Sequence, residues 1–404
     1  MKTHNYFLLL GLCITLCFQC SSPPSNFTDY VNPLVGTDSE FSFSNGNTYP
    51  TAAMPFGMTA WTPSTNRLGD GWIYQYRAEK INGIKATHQP SPWIGDYGDF
   101  SFMPMTGDVK TPFAERGSAF SHEQEISKCY YYSVDLLDYN IKTKVAPTTR
   151  CAHFRLSFPQ DEKAFLVIDA HKGNSEIVID AETKTIRGTS RSNRGGVPDN
   201  FACYFVAEFD TPFKAQGTWN KNDTFADNLS LADDHVGAFL EFPPNSQVTF
   251  KVGTSFISHE QAQINIQNEI GNDSFEQTKT KGKSAWENEL KKIEVEGATD
   301  EQKITFYTAF YRALLFPRIF HEFDSNNEQV HYSPYDGQVH PGPMYADNGF
   351  WDTFRAVYPF FTILFPERDA EIIRGWINAY REGGWFPKWT SPGYRNCMIG
   401  THVE

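Results

Sequence analysis

The chain is predicted to fold as an N-terminal β-sandwich followed by the opening helices of an all-α domain, and three observations carry that prediction. Between about residues 26 and 258, apolar stretches of strand length recur between Gly, Pro, Asn and Asp turns, with no helix-period segment among them. Near Glu260 the sequence turns polar and helix-favouring. Beyond about residue 298 the apolar residues fall on helical stripes. Many strands without intervening helices favour a sandwich over a parallel α/β sheet.

Residues 1–20 read as a secretory signal rather than as part of the fold. Lys2 and His4 lead into an uncharged apolar run from Tyr6 to Phe18, too short for a stable bilayer-spanning helix. Cys20, followed by Ser21, Ser22, Pro23 and Pro24, resembles the lipidated cysteine of bacterial lipoproteins. Phe18 and Gln19 stand where small residues are usual, so an ordinary signal with an incidental cysteine is the alternative. The expected location is exported, in the periplasm or on the outer membrane through a lipid anchor, with the cell surface also open.

The sandwich is expected over residues 26–258. His153 to Phe158 alternates, placing Phe154, Leu156 and Phe158 on one face. Phe165 to Ile168 is a continuous apolar run, as in a strand buried on both sides, and Phe201 to Phe209, Val236 to Phe242 and Val248 to Phe256 supply further strands. A helical linker is expected over residues 259–297, anchored by Phe275, Trp286 and Leu290. The all-α domain then occupies residues 298–404. Thr299 and Gln302 form a capping-box pattern before a stripe of Ile304, Tyr307, Tyr311 and Leu314 that Pro317 ends. A shorter helical stretch runs from about Asn348 to Tyr358, bounded by Pro359. A last helix opens near Pro366, sets Ile372, Ile373, Trp376 and Tyr380 on one face, and stops at Gly383 and Gly384. Three or four amphipathic helices do not close an architecture, so a truncated domain is expected.

Composition narrows the ligand. With 35 basic and 48 acidic residues the formal charge is −13, and the cations are scattered, which leaves no footprint for nucleic acid. Aromatic residues make up 15%, and flat aromatic faces suit the C–H faces of sugar rings. Cys129, Cys151, Cys203 and Cys397 lie far apart without a C-x-x-C pair, which supports neither a metal site nor a stapled scaffold.

Three Gly/Pro-rich segments concentrate Trp, His, Asp and Arg: Gly46 to Trp72, Thr87 to Phe100, and Asn348 to His402. Each has two readings. Trp61 and Trp72 are either sandwich core or sugar platforms. His88 is a satisfied turn residue or a ligand contact, and Asp96 and Asp99 suit Gly-flanked turns. Asp352 and Arg355, three apart on a helix, would form an ion pair or serve a site. Arg395 lacks an obvious helical partner, and its guanidinium could clamp sugar hydroxyls.

NPLVGT (Asn32 to Thr37), GNTYPTAAMPFGM (Gly46 to Met58), THQPSPWIGDYGDF (Thr87 to Phe100), FWDTFR (Phe350 to Arg355) and SPGYRNCMIGTH (Ser391 to His402) together resemble glycoside hydrolase family 92, the calcium-dependent exo-α-mannosidases. The likeness runs from about Tyr30 to the last residue, and Thr51 departs from the Gly usual in the P-G-A stretch. The resemblance implies a β-sandwich, a helical linker and a six-hairpin (α/α) toroid, with the site where sandwich loops meet the toroid. It implies binding of the terminal mannose of glycans by Gly46, Trp61, Trp72, Asp352 and Arg395. The implied mechanism is inversion, in which a glutamic acid protonates the leaving oxygen and an aspartate activates water. Those carboxylates and the calcium ligands belong to later toroid segments, so no catalytic residue and no metal ligand is expected here. Two other functions remain open on the residues alone: a non-catalytic glycan-binding lipoprotein, and another six-hairpin sugar hydrolase or phosphorylase.

Overall fold

The computed structural model describes residues 26–38, 48–65, 72–160, 162–386 and 388–395. The expected signal with Cys20, the loop residue Gly46 and Cys397 lie outside the described residues. No helix among the described residues is long and apolar enough to cross a membrane.

Fourteen strands form one continuous hydrogen-bonded sheet rather than two separate ones. The sheet curls back on itself through the long strand Ala164–Asp180. Its first part pairs with Phe100–Thr106, from Ala164↔Thr106 to Asp169↔Ser101. Its last part pairs with Thr185–Ser190, from Glu176↔Thr189 to Asp180↔Thr185. Between the two, the register against Ser230–Phe242 shifts twice, at Asp169/Lys172 and at Lys172/Ser175. His171, Gly173 and Asn174 take positive φ values of 63°, 113° and 62° there. Such bulges bend a strand and increase its twist, which turns one sheet into two facing layers.

The layers close on aromatic side chains. Phe102, beside the corner strand, meets Phe154 and Phe250 of the opposite layer at ring distances of 5.3 Å each. Phe154 and Phe250 stack at 4.7 Å. The expected strands fall in place because their patterning is local: Phe154, Leu156 and the Phe165–Ile168 run are buried. Cys129, Cys151 and Cys203 are buried free thiols.

Helices α1 (His259–Glu269) and α2 (Phe275–Leu290) follow, and the expected anchors Phe275, Trp286 and Leu290 are all buried. Trp286 docks α2 on the sheet domain by donating its indole N–H to the Ala53 carbonyl at 2.7 Å. Glu287, its neighbour, receives the backbone N–H groups of Phe27 and Thr28 at 3.0 Å each. Helix α3 (Asp300–Ala313) opens with the reciprocal Thr299–Gln302 capping box and buries Tyr307 and Tyr311.

Three expectations are corrected. First, the stretch after α3 is not all helix: Arg318–Ile319 pairs with Tyr345–Ala346, and Glu322–Phe323, Gln329–Tyr332 and Val339–Pro341 form a small sheet. Buried Glu322 ties this sheet to the sandwich, accepting from Ser255 Oγ at 2.9 Å, the Phe256 N–H at 3.0 Å and Asn265 Nδ2 at 2.6 Å. Second, Pro359 does not end a helix. After the short α4 (Phe350–Thr353), α5 (Val357–Leu364) runs through Pro359, which sits in the first turn where its missing N–H has no helical partner to lose. Third, α6 (Pro366–Gly383), closed by left-handed Gly384, buries Asp369, Ile372, Gly375 and Ala379. Ile373 and Tyr380 of the expected stripe are 44% and 47% exposed.

Trp286 is the largest side chain holding the helices to the sheet, and its loss leaves both a cavity and an unpaired carbonyl. Trp286→Ala is expected to cost about 3–5 kcal/mol in urea-induced unfolding. A cost below about 1 kcal/mol would show that α2 docks by other contacts.

Candidate functional site

The Thr87–Phe100 segment is held from beneath by buried charge. Lys85, 1% exposed, reaches Asp96 at 3.0 Å and Asp99 at 2.7 Å. Burial alone would lower the pKa of its ammonium, but the two carboxylates outweigh this and hold it above the ordinary value. Asp99 in turn sits well below the usual carboxylate range, because His171 and Lys85 overcome the effect of burial. Asp96 also receives the backbone N–H groups of His88 and Tyr97 at 2.9 Å each and the Thr87 hydroxyl at 2.6 Å. Its turn role is therefore combined with an ion pair that the sequence did not reveal. His88 is a structural residue: Nδ1 lies 2.7 Å from the Tyr97 carbonyl and Nε2 3.1 Å from Thr59 Oγ1. Burial lowers its pKa to about 4.

This loop meets the helical half at Asp347. Its carboxylate receives Tyr97 Oη at 2.8 Å and Ser391 Oγ at 2.5 Å, and lies 3.3 Å from Arg318 Nε. Arg318 also donates to Tyr49 Oη at 3.4 Å, and Tyr49 Oη donates to the Gln89 carbonyl at 2.6 Å. One carboxylate thus joins all three dense segments of the sequence. Asp347 stands one residue before the Asn348 segment, and only its three-dimensional neighbours mark it out. A second join runs through backbone. The Tyr394 N–H donates to the Gly196 carbonyl at 2.7 Å. A Cβ on Gly196 would strike the Tyr394 carbonyl, and one on Gly393 would strike that of Gly196.

The expected site residues separate. Trp61 is placed in the core at 0% exposure, its ring 5.1 Å from Phe154, 5.9 Å from Phe100 and 6.4 Å from Phe102. A ring enclosed on all sides has no face for a sugar. Trp72 is half-buried and Asp352 is exposed at the start of α4. Asp352 and Arg355 form no ion pair among the described residues; the Arg355 guanidinium lies over the rings of Trp351 and Phe354. Arg395 is half-buried and donates to the Ile94 carbonyl at 2.6 Å, which brings it to the Thr87–Phe100 loop. Around this junction Trp93, Trp351, Trp385 and Tyr394 are exposed, Trp93 and Trp385 at 65% and 77%. Single exposed aromatics are ordinary, but four on segments that meet suit a carbohydrate surface. No three His, Cys, Asp or Glu side chains converge as a metal site among the described residues.

Burial raises the Asp347 carboxyl from 3.8 to about 7, against the opposing pull of Arg318, Ser391 and Tyr97. The native state thus holds its proton where the unfolded chain has lost it. Its contribution to stability is complete below 3.8 and is lost as pH rises towards 7. Asp347→Asn, which cannot ionise, is expected to flatten the decline of stability across that window in urea titrations. An unchanged profile would mean that the native carboxylate is ionised throughout.

The chain is similar to known proteins along most of its length. Residues 30–255 match the glycosyl hydrolase family 92 N-terminal domain and residues 261–404 its catalytic domain. Among solved structures, a family GH92 inverting mannosidase of Bacteroides thetaiotaomicron is 48% identical with a TM-score of 0.92, covering 94% of this chain and 52% of that one. A family GH92 alpha-mannosidase of the same species is 29% identical with a TM-score of 0.83, covering 94% and 53%. That enzyme has also been solved with mannoimidazole. An uncharacterized secreted glycosidase of Arthroderma benhamiae is 25% identical over 349 residues, 78% of this chain and 44% of that protein. The chain spans about half the length of these relatives. With both domains matched along nearly the whole of its described length, the chain belongs to glycosyl hydrolase family 92.

Proposed function

We propose that this chain is the N-terminal half of an exported exo-acting α-mannosidase that removes terminal α-linked mannose from glycans with inversion. The observation that carries the reading is the Asp347 junction, where loops of the sandwich and segments of the helical half meet beneath exposed aromatic side chains. The matched structures are mannosidases, which supports mannose as the ligand at that meeting point. On this reading residues 1–20 are a signal with Cys20 as lipid anchor, 26–258 the sandwich, 259–297 the linker and 298–404 the opening of a six-hairpin toroid.

The residues of this chain would bind and orient rather than cleave. Asp352 would accept hydroxyl protons from the terminal mannose, Arg395 would donate its fork to ring oxygens, and Trp72 with the Gly46 loop would cover the sugar face. Trp61 would support them as packing beneath. Inversion needs an acid and a base with carboxyl groups roughly 6.5–9.5 Å apart, so that water fits between base and sugar. The proposal places that pair, and the calcium ligands, in the half of the relatives' length that this chain does not span.

The test compares this 404-residue chain with a version extended to the relatives' length, on an α-1,2-linked mannobiose with calcium present. Only the extended protein is expected to release mannose. In it, Asp352→Asn or Arg395→Ala is expected to lower kcat/KM by about 10- to 100-fold, the loss of one or two hydrogen bonds to a charged group. Mannose release by the 404-residue chain itself would overturn the assignment of the carboxylates.

A further inference from the structure

The bend of the corner strand opens a cavity of about 370 Å³ on the sandwich, apart from the Asp347 junction. Its volume lies at the lower end of small-ligand sites, which run about 300–1,000 Å³. His171, Lys172 and Asn174 of the bend line it, facing Arg191, Ser192 and Asp234. His171 is 4% exposed, and its Nδ1 lies 2.9 Å from Asp99 Oδ1. The Asp99 carboxylate takes up Nδ1, which leaves Nε2 to hydrogen-bond a ligand. Nε2 is buried and has no hydrogen-bond partner among the described residues. A buried polar atom left so is unfavourable, and a bound hydroxyl would relieve it.

The remaining lining narrows the chemistry. Lys172, Arg191 and Arg194 repel a cation, while Asp96, Asp99 and Asp234 repel an anion. A neutral ligand whose groups both donate and accept satisfies His171 Nε2, the carboxylates and the cations together, and a sugar's hydroxyls do this. The cavity is also wired to the mannose junction by one loop. Ser192 Oγ donates to Asp99 Oδ1 at 2.5 Å, and the Gly98 N–H donates to the Ser192 carbonyl at 2.8 Å. Four residues on, the Gly196 carbonyl receives the Tyr394 N–H beside Arg395.

We propose that this corner cavity is a second sugar subsite, holding a neutral unit of the glycan away from the terminal mannose, with one of its hydroxyls hydrogen-bonded to His171 Nε2. Its identity as part of the substrate path rests on the mannosidase reading; its affinity for a sugar does not.

The 404-residue chain, labelled with ¹⁵N in its histidine rings, is titrated with mannose and with α-1,2-mannobiose. A saturable shift of the His171 Nε2 resonance is expected, absent in H171Q and with affinity about tenfold weaker in K172A, the size of one hydrogen bond to a charged group. Lys172 is exposed, so K172A tests the site without disturbing the bend. No saturable shift, a response unchanged in K172A, or a response to inorganic phosphate but not to either sugar overturns the proposal. Mannose release by the extended protein is scored separately: release without corner binding sinks the subsite alone, and corner binding without release sinks only its place in the substrate path.

Discussion

The bend of Ala164–Asp180 is the constraint on which the rest of the molecule depends, because one strand there belongs to both layers. A strand that bends must leave backbone groups and side chains off the ladder, and here charged partners take them up. Asp169, the last residue paired with the first layer, receives Arg116 Nη2 at 2.8 Å, His235 Nε2 at 2.7 Å and the His171 N–H at 2.9 Å. His171 then reaches Asp99, and Asp99 reaches Lys85. The corner therefore sets the height of the Thr87–Phe100 loop, and that loop in turn sets where Tyr97 finds Asp347.

This design places paired charges where most proteins place apolar side chains. Lys85 and Arg116 are each at most 1% exposed, and each faces a buried carboxylate held in its ionised form. Such pairs add little net stability over well-packed apolar residues, but removing one partner strands the other and costs several kcal/mol. What they add is direction. A hydrogen-bonded carboxylate tolerates far less displacement than a methyl group, which suits loops that must present side chains to a ligand from two separate domains.

The parts of this architecture legible in the sequence are those decided by near neighbours. The Thr299–Gln302 capping box, the Phe275–Trp286–Leu290 anchors and the alternating Phe154–Leu156 strand are set within a turn or a strand length, and the structure has each of them. What escaped depends on residues far apart. Lys85 looks like a surface lysine until Asp96 and Asp99 are folded over it. Glu322 falls in the stretch assigned to the all-α domain, and only the donors Ser255 and Asn265, far off in sequence, mark it and the small sheet that interrupts the helical half. Trp61 and Trp72 share a segment and a residue type, and only the curl of the sheet sends one inward and leaves the other half-buried. Asp347, the centre of the candidate site, carries no local signature at all.

The facing glycines Gly196 and Gly393 give the join between the two halves an unusual tolerance. The sandwich loop and the Arg395 segment register on each other through main chain, the Tyr394 N–H on the Gly196 carbonyl. Neighbouring side chains on either segment can therefore change without displacing Arg395. The same joint has no slack, however. This surface is open in side-chain identity and closed in chain path, with the pair of glycines as its fixed point.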